Sequence, residues 1–271
     1  MARSPASPLL VACGVAREAA IAMRGAGGRV VAIAGGGDAA WLERELRAAA
    51  ERGVAGVLSF GLAGALAPEL RVGDWVVGEG VYGGLDCDAA WVRALSQRPP
   101  RNGEGIQAQH SGGAGAERAV CVGTPPPPPR WRTAVSLPDP GRIYADGTLA
   151  TSAAAKRALH ARTGALAIDM ESHVAARVAA DYGVPLAMLR VISDTADDAL
   201  PPAFAVAMRP GGGTNFPAIL ASLATRPGQL PAFFRGARDA TRALNELLRG
   251  RVLLGPRFLL PDAGERAADV V

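Results

Sequence analysis

Ala167-Ile168-Asp169-Met170-Glu171-Ser172 and, further on, Leu189-Arg190-Val191-Ile192-Ser193-Asp194 are apolar runs that each end abruptly in a carboxylate. A helix-like segment and the break Tyr182-Gly183-Val184-Pro185 separate them. Strand, helix and strand in that order outline a βαβ unit, whose right-handed crossover makes the two strands parallel. Glu171 and Asp194 would then reach the same edge of one sheet, and open α/β sheets bind ligands at the carboxyl ends of their strands. Either acid alone is better explained as structural, Glu171 by the helix dipole (about 0.3 to 1 kcal/mol) and Asp194 as a turn residue. Together at one edge they predict a site.

Outward from this unit the alternation continues. Leu9 to Val15, Arg29 to Ala34 and Val54 to Phe60 read as short buried strands bounded by glycine. Trp41, Leu42, Glu45, Leu46 and Ala49 recur at helical spacing and predict a helix over 38–52, closed by Gly53. Trp75 to Val81 is a fourth strand. Thr151 to Arg162 is a helix capped by Thr151 or Ser152, and Glu171 to Asp181, 215–225 and 229–249 are helical. The expectation is a single α/β domain over residues 1–250, with a central mixed, largely parallel β-sheet flanked by helices, followed by a C-terminal tail at 251–271. At about 96–132 the composition turns to Arg, Gly, Gln and Pro and ends in the run Pro125 to Pro129, an insertion that favours extended polyproline II.

Composition narrows the function. Apolar residues make up 49% of the 271 and charged residues 20%, which fits a folded enzyme and not a disordered chain. No apolar run approaches the roughly 18 residues that span a bilayer, and the first residues do not form a secretory signal, so the cytoplasm is the expected location. The net charge of +4 comes from scattered residues without a nucleic-acid-binding pattern, so no nucleic acid is expected as a partner. Lys156 is the one lysine among 29 basic residues, which leaves no P-loop and little lysine chemistry. Cys13, Cys87 and Cys121 lack paired spacing and are expected as free thiols, and His110, His160 and His173 have no ligand-spaced companion, so no metal is expected.

Two glycine motifs follow predicted strands. Ser59-Phe60-Gly61-Leu62-Ala63-Gly64 can bring backbone N–H groups to a ligand or simply form a tight turn. Gly35-Gly36-Gly37-Asp38-Ala39-Ala40 fits G-x-G-x-x-A, but the next strand ends in Ser59-Phe60 and lacks the acid that holds a dinucleotide's ribose. A NAD-dependent enzyme is therefore a distant reading, and these glycines are expected to line a phosphate or a close packing contact.

Taken together, the Ser59–Gly64 motif, Val72-Gly73-Asp74, Asp169-Met170-Glu171-Ser172 and Arg190-Val191-Ile192-Ser193-Asp194 resemble the purine nucleoside phosphorylase and methylthioadenosine/S-adenosylhomocysteine nucleosidase superfamily over about residues 9–200. Glu171 to Arg177, Leu200-Pro201-Pro202 and Arg226-Pro227-Gly228-Gln229-Leu230-Pro231 are similar to its hopanoid-biosynthesis-associated phosphorylase subgroup and extend the likeness to about residue 245. The resemblance implies a homo-oligomer that needs no cofactor and cleaves the N-glycosidic bond of an adenine nucleoside, with the lipid nucleoside adenosylhopane as the specific expectation. It implies Asp194 as the acid that protonates N7 of the leaving base, kept protonated by desolvation at an apolar strand end. It implies Glu171 as the ligand of the ribose hydroxyls, Met170 against the sugar, and Phe60, Leu62, Ala63 and Gly64 around the base.

The nucleophile stays open at this level. Leu10 to Glu18 resembles the first strand and turn of both branches of the superfamily: Glu18 would activate water, whereas Arg17 and Gly14 would bind inorganic phosphate as co-substrate. The subgroup's name tilts the reading toward phosphate. Phe204, Phe216, Phe233, Phe234 and the apolar residues from Val252 to Leu260 are available for an apolar mouth and a transient membrane contact, although core or oligomer interface is their ordinary explanation. The rivals are a methylthioadenosine or S-adenosylhomocysteine nucleosidase and, in another class, a non-catalytic nucleoside-binding protein.

Overall fold

The computed structural model describes residues 7–96, 131–133 and 141–262. Most of the expected insertion at 96–132 lies outside the described residues. The elements are β1 (Leu9–Cys13), α1 (Ala16–Met23), β2 (Val30–Ala34), α2 (Ala39–Ala50), β3 (Gly56–Ala65), β4 (Trp75–Gly78), β5 (Gly80–Val81) and α3 (Ala89–Ser96). After them come β6 (Trp131–Thr133), β7 (Arg142–Ala145), α4 (Ala153–Thr163), β8 (Ala167–Asp169), α5 (Ser172–Asp181) and β9 (Leu186–Asp194). Helices α6 (Pro202–Ala205), α7 (Phe216–Thr225) and α8 (Leu230–Leu253) complete the described elements.

Every described strand belongs to one mixed sheet in the order β5-β7-β8-β3-β9-β4-β6, with β1 on β3 and β2 on β1. Pairing is antiparallel at β3–β8 and β4–β9 and parallel elsewhere. The alternation of β1 sends Leu9, Val11 and Cys13 to a core shared with Trp75, Trp91 and Leu247, while Leu10 and Ala12 face Leu42, Leu46 and Val178. Helices therefore cover both faces, and strands buried on both sides read as continuous apolar runs. The expected α/β domain with a largely parallel sheet is what the chain forms.

The expected βαβ unit is corrected in its direction. Strand β9 runs parallel to β3 along its whole length, but β8 joins β3 only at Gly64–Ala65 and runs antiparallel to it. Along the other edge, β1 covers β3 from Gly56 to Ser59. Thus β1 and β8 approach each other head to head, and their carboxyl ends leave a gap beside Phe60 to Ala63. This gap is the topological switch point, where an α/β sheet opens a crevice. Of the tail expected at 251–271, residues 251–262 are described and pack on the domain: Leu254 and Phe258 are buried, and Trp91 Nε1 donates to the Phe258 carbonyl at 2.8 Å.

Candidate active site

The turn from β1 into α1 brings the first acid to the gap. Glu18 occupies the third position of α1, where a glutamate can fold back onto the N–H groups left unpaired at the helix start. Its carboxylate accepts from Gly14 N at 2.7 Å, Val15 N at 2.9 Å and, across the gap, Leu62 N at 2.8 Å. Gly61 makes room for it: its φ is +156°, and a Cβ there would lie 2.6 Å from the Glu18 carboxyl carbon. Burial raises the pKa of Glu18 above the ordinary carboxylate range, with Arg190 and the three N–H donors opposing the rise.

The end of β8 supplies the second acid. Asp169 Oδ1 accepts from Glu171 N at 3.0 Å and Ser172 N at 2.8 Å, so Asp169 satisfies the start of α5. Glu171 makes no capping bond of its own. Its carboxylate converges with that of Glu18 over Gly14, where a Cβ would lie 3.2 Å from Glu18 Oε2 and 3.3 Å from Glu171 Oε1. Burial raises the pKa of Glu171 to about 8; Arg190 opposes this, and the charges of Asp169 and Glu18 add to it. Two adjacent carboxyl groups do not both ionise readily, and the three N–H donors mark Glu18 as the one that carries the charge.

Beneath this pair lies Arg190, a fully buried side chain on β9. Its Nε is 2.8 Å from Asp169 Oδ2, its Nη2 is 3.9 Å from Glu171 Oε2, and Nη2 donates to the hydroxyls of Ser59 and Ser172. Burial works against the guanidinium, but Asp169, Glu171 and Glu18 hold its pKa above the ordinary arginine value. Arg190 is a fixed countercharge for three acids.

The third acid stands at the end of β9. A bulge between Ala63 and Gly64 sets Gly64 against Asp194, and a Cβ at Gly64 would lie 2.9 Å from Asp194 Oδ2. Asp194 Oδ1 accepts from Ser193 Oγ at 2.7 Å. Asp194 Oδ2 is ion-paired with Lys156 Nζ from α4. The expectation of a desolvating apolar strand end is therefore corrected: an ammonium and a hydroxyl face this carboxyl group.

One cavity of about 400 Å³ joins these parts. Glu18, Glu171 and Asp194 line it, with Gly14, Met170, Leu62, Ala63 and Gly64 from the expected set. Phe60 does not. Phe60 is fully buried in the core beside Leu58 and Leu247, with its ring centroid 5.0 Å from that of Phe258. Arg17 is exposed on α1 and absent from the lining, since neighbouring helix residues point in different directions. The Gly14 N–H is spent on Glu18, and Gly36 N donates to the Gly14 carbonyl at 2.7 Å. Gly36 is a packing contact, since a Cβ there would lie 1.7 Å from the Arg209 carbonyl oxygen. The expected phosphate set of Gly14, Arg17 and the 35–37 glycines is thus not assembled.

Sequence reasoning missed Lys156, although a single lysine in an arginine-rich chain was itself a signal. It also passed over Arg190, a charge inside an otherwise apolar strand run. Among the described residues no group of three His, Cys, Asp or Glu side chains is placed to hold a metal ion.

The sequence family described as the phosphorylase superfamily matches residues 14–224. The chain belongs to that superfamily. It is an enzyme of the nucleoside phosphorylase and nucleosidase kind, as the motifs imply. Its fold is similar to that of 5′-methylthioadenosine/S-adenosylhomocysteine nucleosidase from Helicobacter pylori with butyl-thio-DADMe-Immucillin-A, at a TM-score of 0.53 and 15% identity over 92% of this chain and 99% of that one. S-adenosylhomocysteine nucleosidase from Streptococcus pyogenes in complex with 5-methylthiotubericidin gives a TM-score of 0.52 at 13% identity, over 91% and 97% of the two chains. No curated protein matches the sequence.

Proposed function

We propose that this enzyme hydrolyses the N-glycosidic bond of an adenine nucleoside, with water as the nucleophile. The observation that carries the reading is the convergence of Glu18, Glu171 and Asp194 on one cavity, with the backbone donors that could grip phosphate already given to Glu18. Glu18 takes a proton from the water that attacks C1′, and its negative charge stabilises the oxocarbenium-like sugar. Glu171 keeps its proton through neutral pH and so offers the ribose diol both a donor and an acceptor. Met170 packs against the sugar, and Leu62, Ala63 and Gly64 border the base. Asp194 hands a proton to N7, so that the purine leaves neutral. General acid and general base steps of this kind each contribute about 10² to 10⁴ in rate. The two solved structures of similar fold named above are of nucleosidases, which supports water over phosphate.

Away from the acids, α6, α7, α8 and the connection between α6 and α7 extend the cavity with Phe204, Ile219, Phe233, Leu244 and Met208. No charged residue lines this end, so a large apolar 5′ substituent fits it and the zwitterionic tail of S-adenosylhomocysteine finds no ionic partner there. Adenosylhopane, the substrate implied by the subgroup resemblance, has the required chemistry. The test is adenine release from adenosine, 5′-methylthioadenosine, S-adenosylhomocysteine and long-chain 5′-alkyl adenosines, with and without phosphate. Rates rising with alkyl length and indifferent to phosphate are expected. Phosphate-dependent release would remove Glu18 as the base, preference for S-adenosylhomocysteine would remove the apolar 5′ group, and binding without release would favour the non-catalytic rival.

A further inference from the structure

Two cationic residues of the described chain are 0% exposed, Arg190 and Lys156. Burying a charge costs several kcal/mol and is sustained only by close partners. Arg190 has a carboxylate and two hydroxyls around its fork, as expected of a permanent charge. Lys156 is different. Its Nζ is paired with Asp194 Oδ2, donates to the Thr195 carbonyl at 2.8 Å, and lines the same cavity. Elsewhere the chain uses arginine for every basic side chain, 28 times against this single lysine in a total of 29. Arginine would supply the same charge here. What it cannot do is give up a proton, since a guanidinium stays protonated in proteins whereas an ammonium can serve as an acid.

We propose that Lys156 is the proton store for the leaving base, acting through Asp194. The proposal rests on the hydrolytic reading above. As the C1′–N9 bond breaks, its electron pair passes to the purine. The Lys156 ammonium gives a proton to the Asp194 carboxylate as Asp194 delivers one to N7, so that Asp194 ends ionised as it began. Adenine leaves neutral, Lys156 remains as the amine, and the proton lost by the attacking water resides on Glu18. Exchange with solvent restores Lys156 and Glu18 for the next turnover. Asp194 Oδ1, held by Ser193, keeps the carboxyl group in register while Oδ2 faces the ammonium. The other acid acting on this ammonium is Asp198, which is fixed by Thr195 N at 2.9 Å, while Arg157, next to Lys156 on α4, turns outward to Asp197. Lys156 is thus a positioning residue that also supplies the mobile proton.

A leaving group that needs no proton separates this role from a structural one. The full-length enzyme and its Lys156→Met and Lys156→Arg variants are compared on a 5′-alkyl adenosine and on the p-nitrophenyl riboside with the same 5′ group, with thermal unfolding as the control for folding. Adenine release should fall by about 100-fold or more in both variants, the scale of a lost general-acid step. Release of p-nitrophenolate should stay within about threefold of the parent, because that acid step is not used. Wild-type adenine release in Lys156→Arg would show that a fixed charge suffices and would overturn the proton store. Equal losses on both substrates in folded variants would do the same. A parent enzyme that releases neither leaving group overturns the hydrolytic reading itself, an outcome separate from any behaviour of the variants.

Discussion

The two ends of the cavity are each built around one buried cation, and the cations are held in opposite ways. At the sugar end Arg190 meets Asp169, Glu171, Ser59 and Ser172 at once. At the base end Lys156 meets one carboxylate and one carbonyl. The first arrangement locks charge in place, so that Glu18 and Glu171 divide one proton between them according to their hydrogen bonds. The second leaves a proton able to move. Stationary charge at the nucleophile and mobile charge at the leaving group are what cleavage of a sugar-to-base bond requires.

The largest effects should break this contrast at its acids. Glu18→Gln and Asp194→Asn should each lower adenine release by about 10² to 10⁴ without unfolding the protein. With a p-nitrophenyl leaving group, Asp194→Asn should regain most of its rate and Glu18→Gln should not; recovery of both would erase the division of labour. Next come effects on stability. Arg190→Met leaves buried carboxylates without their countercharge and should cost about 3 to 5 kcal/mol in denaturant unfolding. Phe60→Ala should cost about 3 to 5 kcal/mol as a core cavity while leaving KM nearly unchanged. A large rise in KM instead would return Phe60 to the base site.

A pH titration gives a smaller but signed effect. Glu171 has a folded-state pKa raised to about 8, against an ordinary carboxylate value near 4.5, so the folded state holds more protons than the unfolded state between these limits. Its contribution to stability is intact at low pH and declines as pH rises from about 4.5 to 8. Thermal unfolding midpoints should fall over that window and fall less in Glu171→Gln; parallel curves would show that Glu171 ionises normally. The smallest effect is expected of Arg17→Ala, with adenine release within about twofold of the parent, as for surface substitutions away from a site.

Much of this was legible in the sequence because the sheet is buried on both faces. Continuous apolar runs marked β1 and β9, and carboxylates at the ends of such runs marked Glu171 and Asp194. What was not legible depends on long-range geometry. Strand β8 pairs with β3 through only two residues, so nothing local reveals that it runs backward. Trp75 to Val81 reads as one strand, yet Glu79 separates β4 from β5, which pairs with β7 instead of β9. Phe60 looks like a site residue until its ring is seen to pack on Phe258 in the core, a contact between residues far apart in the chain. Lys156 sits in Ser152-Ala153-Ala154-Ala155-Lys156-Arg157, which reads as a solvated helix start, and only the packing of α4 against the end of β9 shows that it is buried.

The most direct test of water as nucleophile is turnover of a 5′-alkyl adenosine in ¹⁸O-labelled water containing phosphate, with both products identified by mass spectrometry. Adenine and a free reducing sugar carrying one ¹⁸O at C1′ are expected, at a rate that phosphate does not change. An unlabelled sugar 1-phosphate, formed only when phosphate is present, would contradict the role given to Glu18.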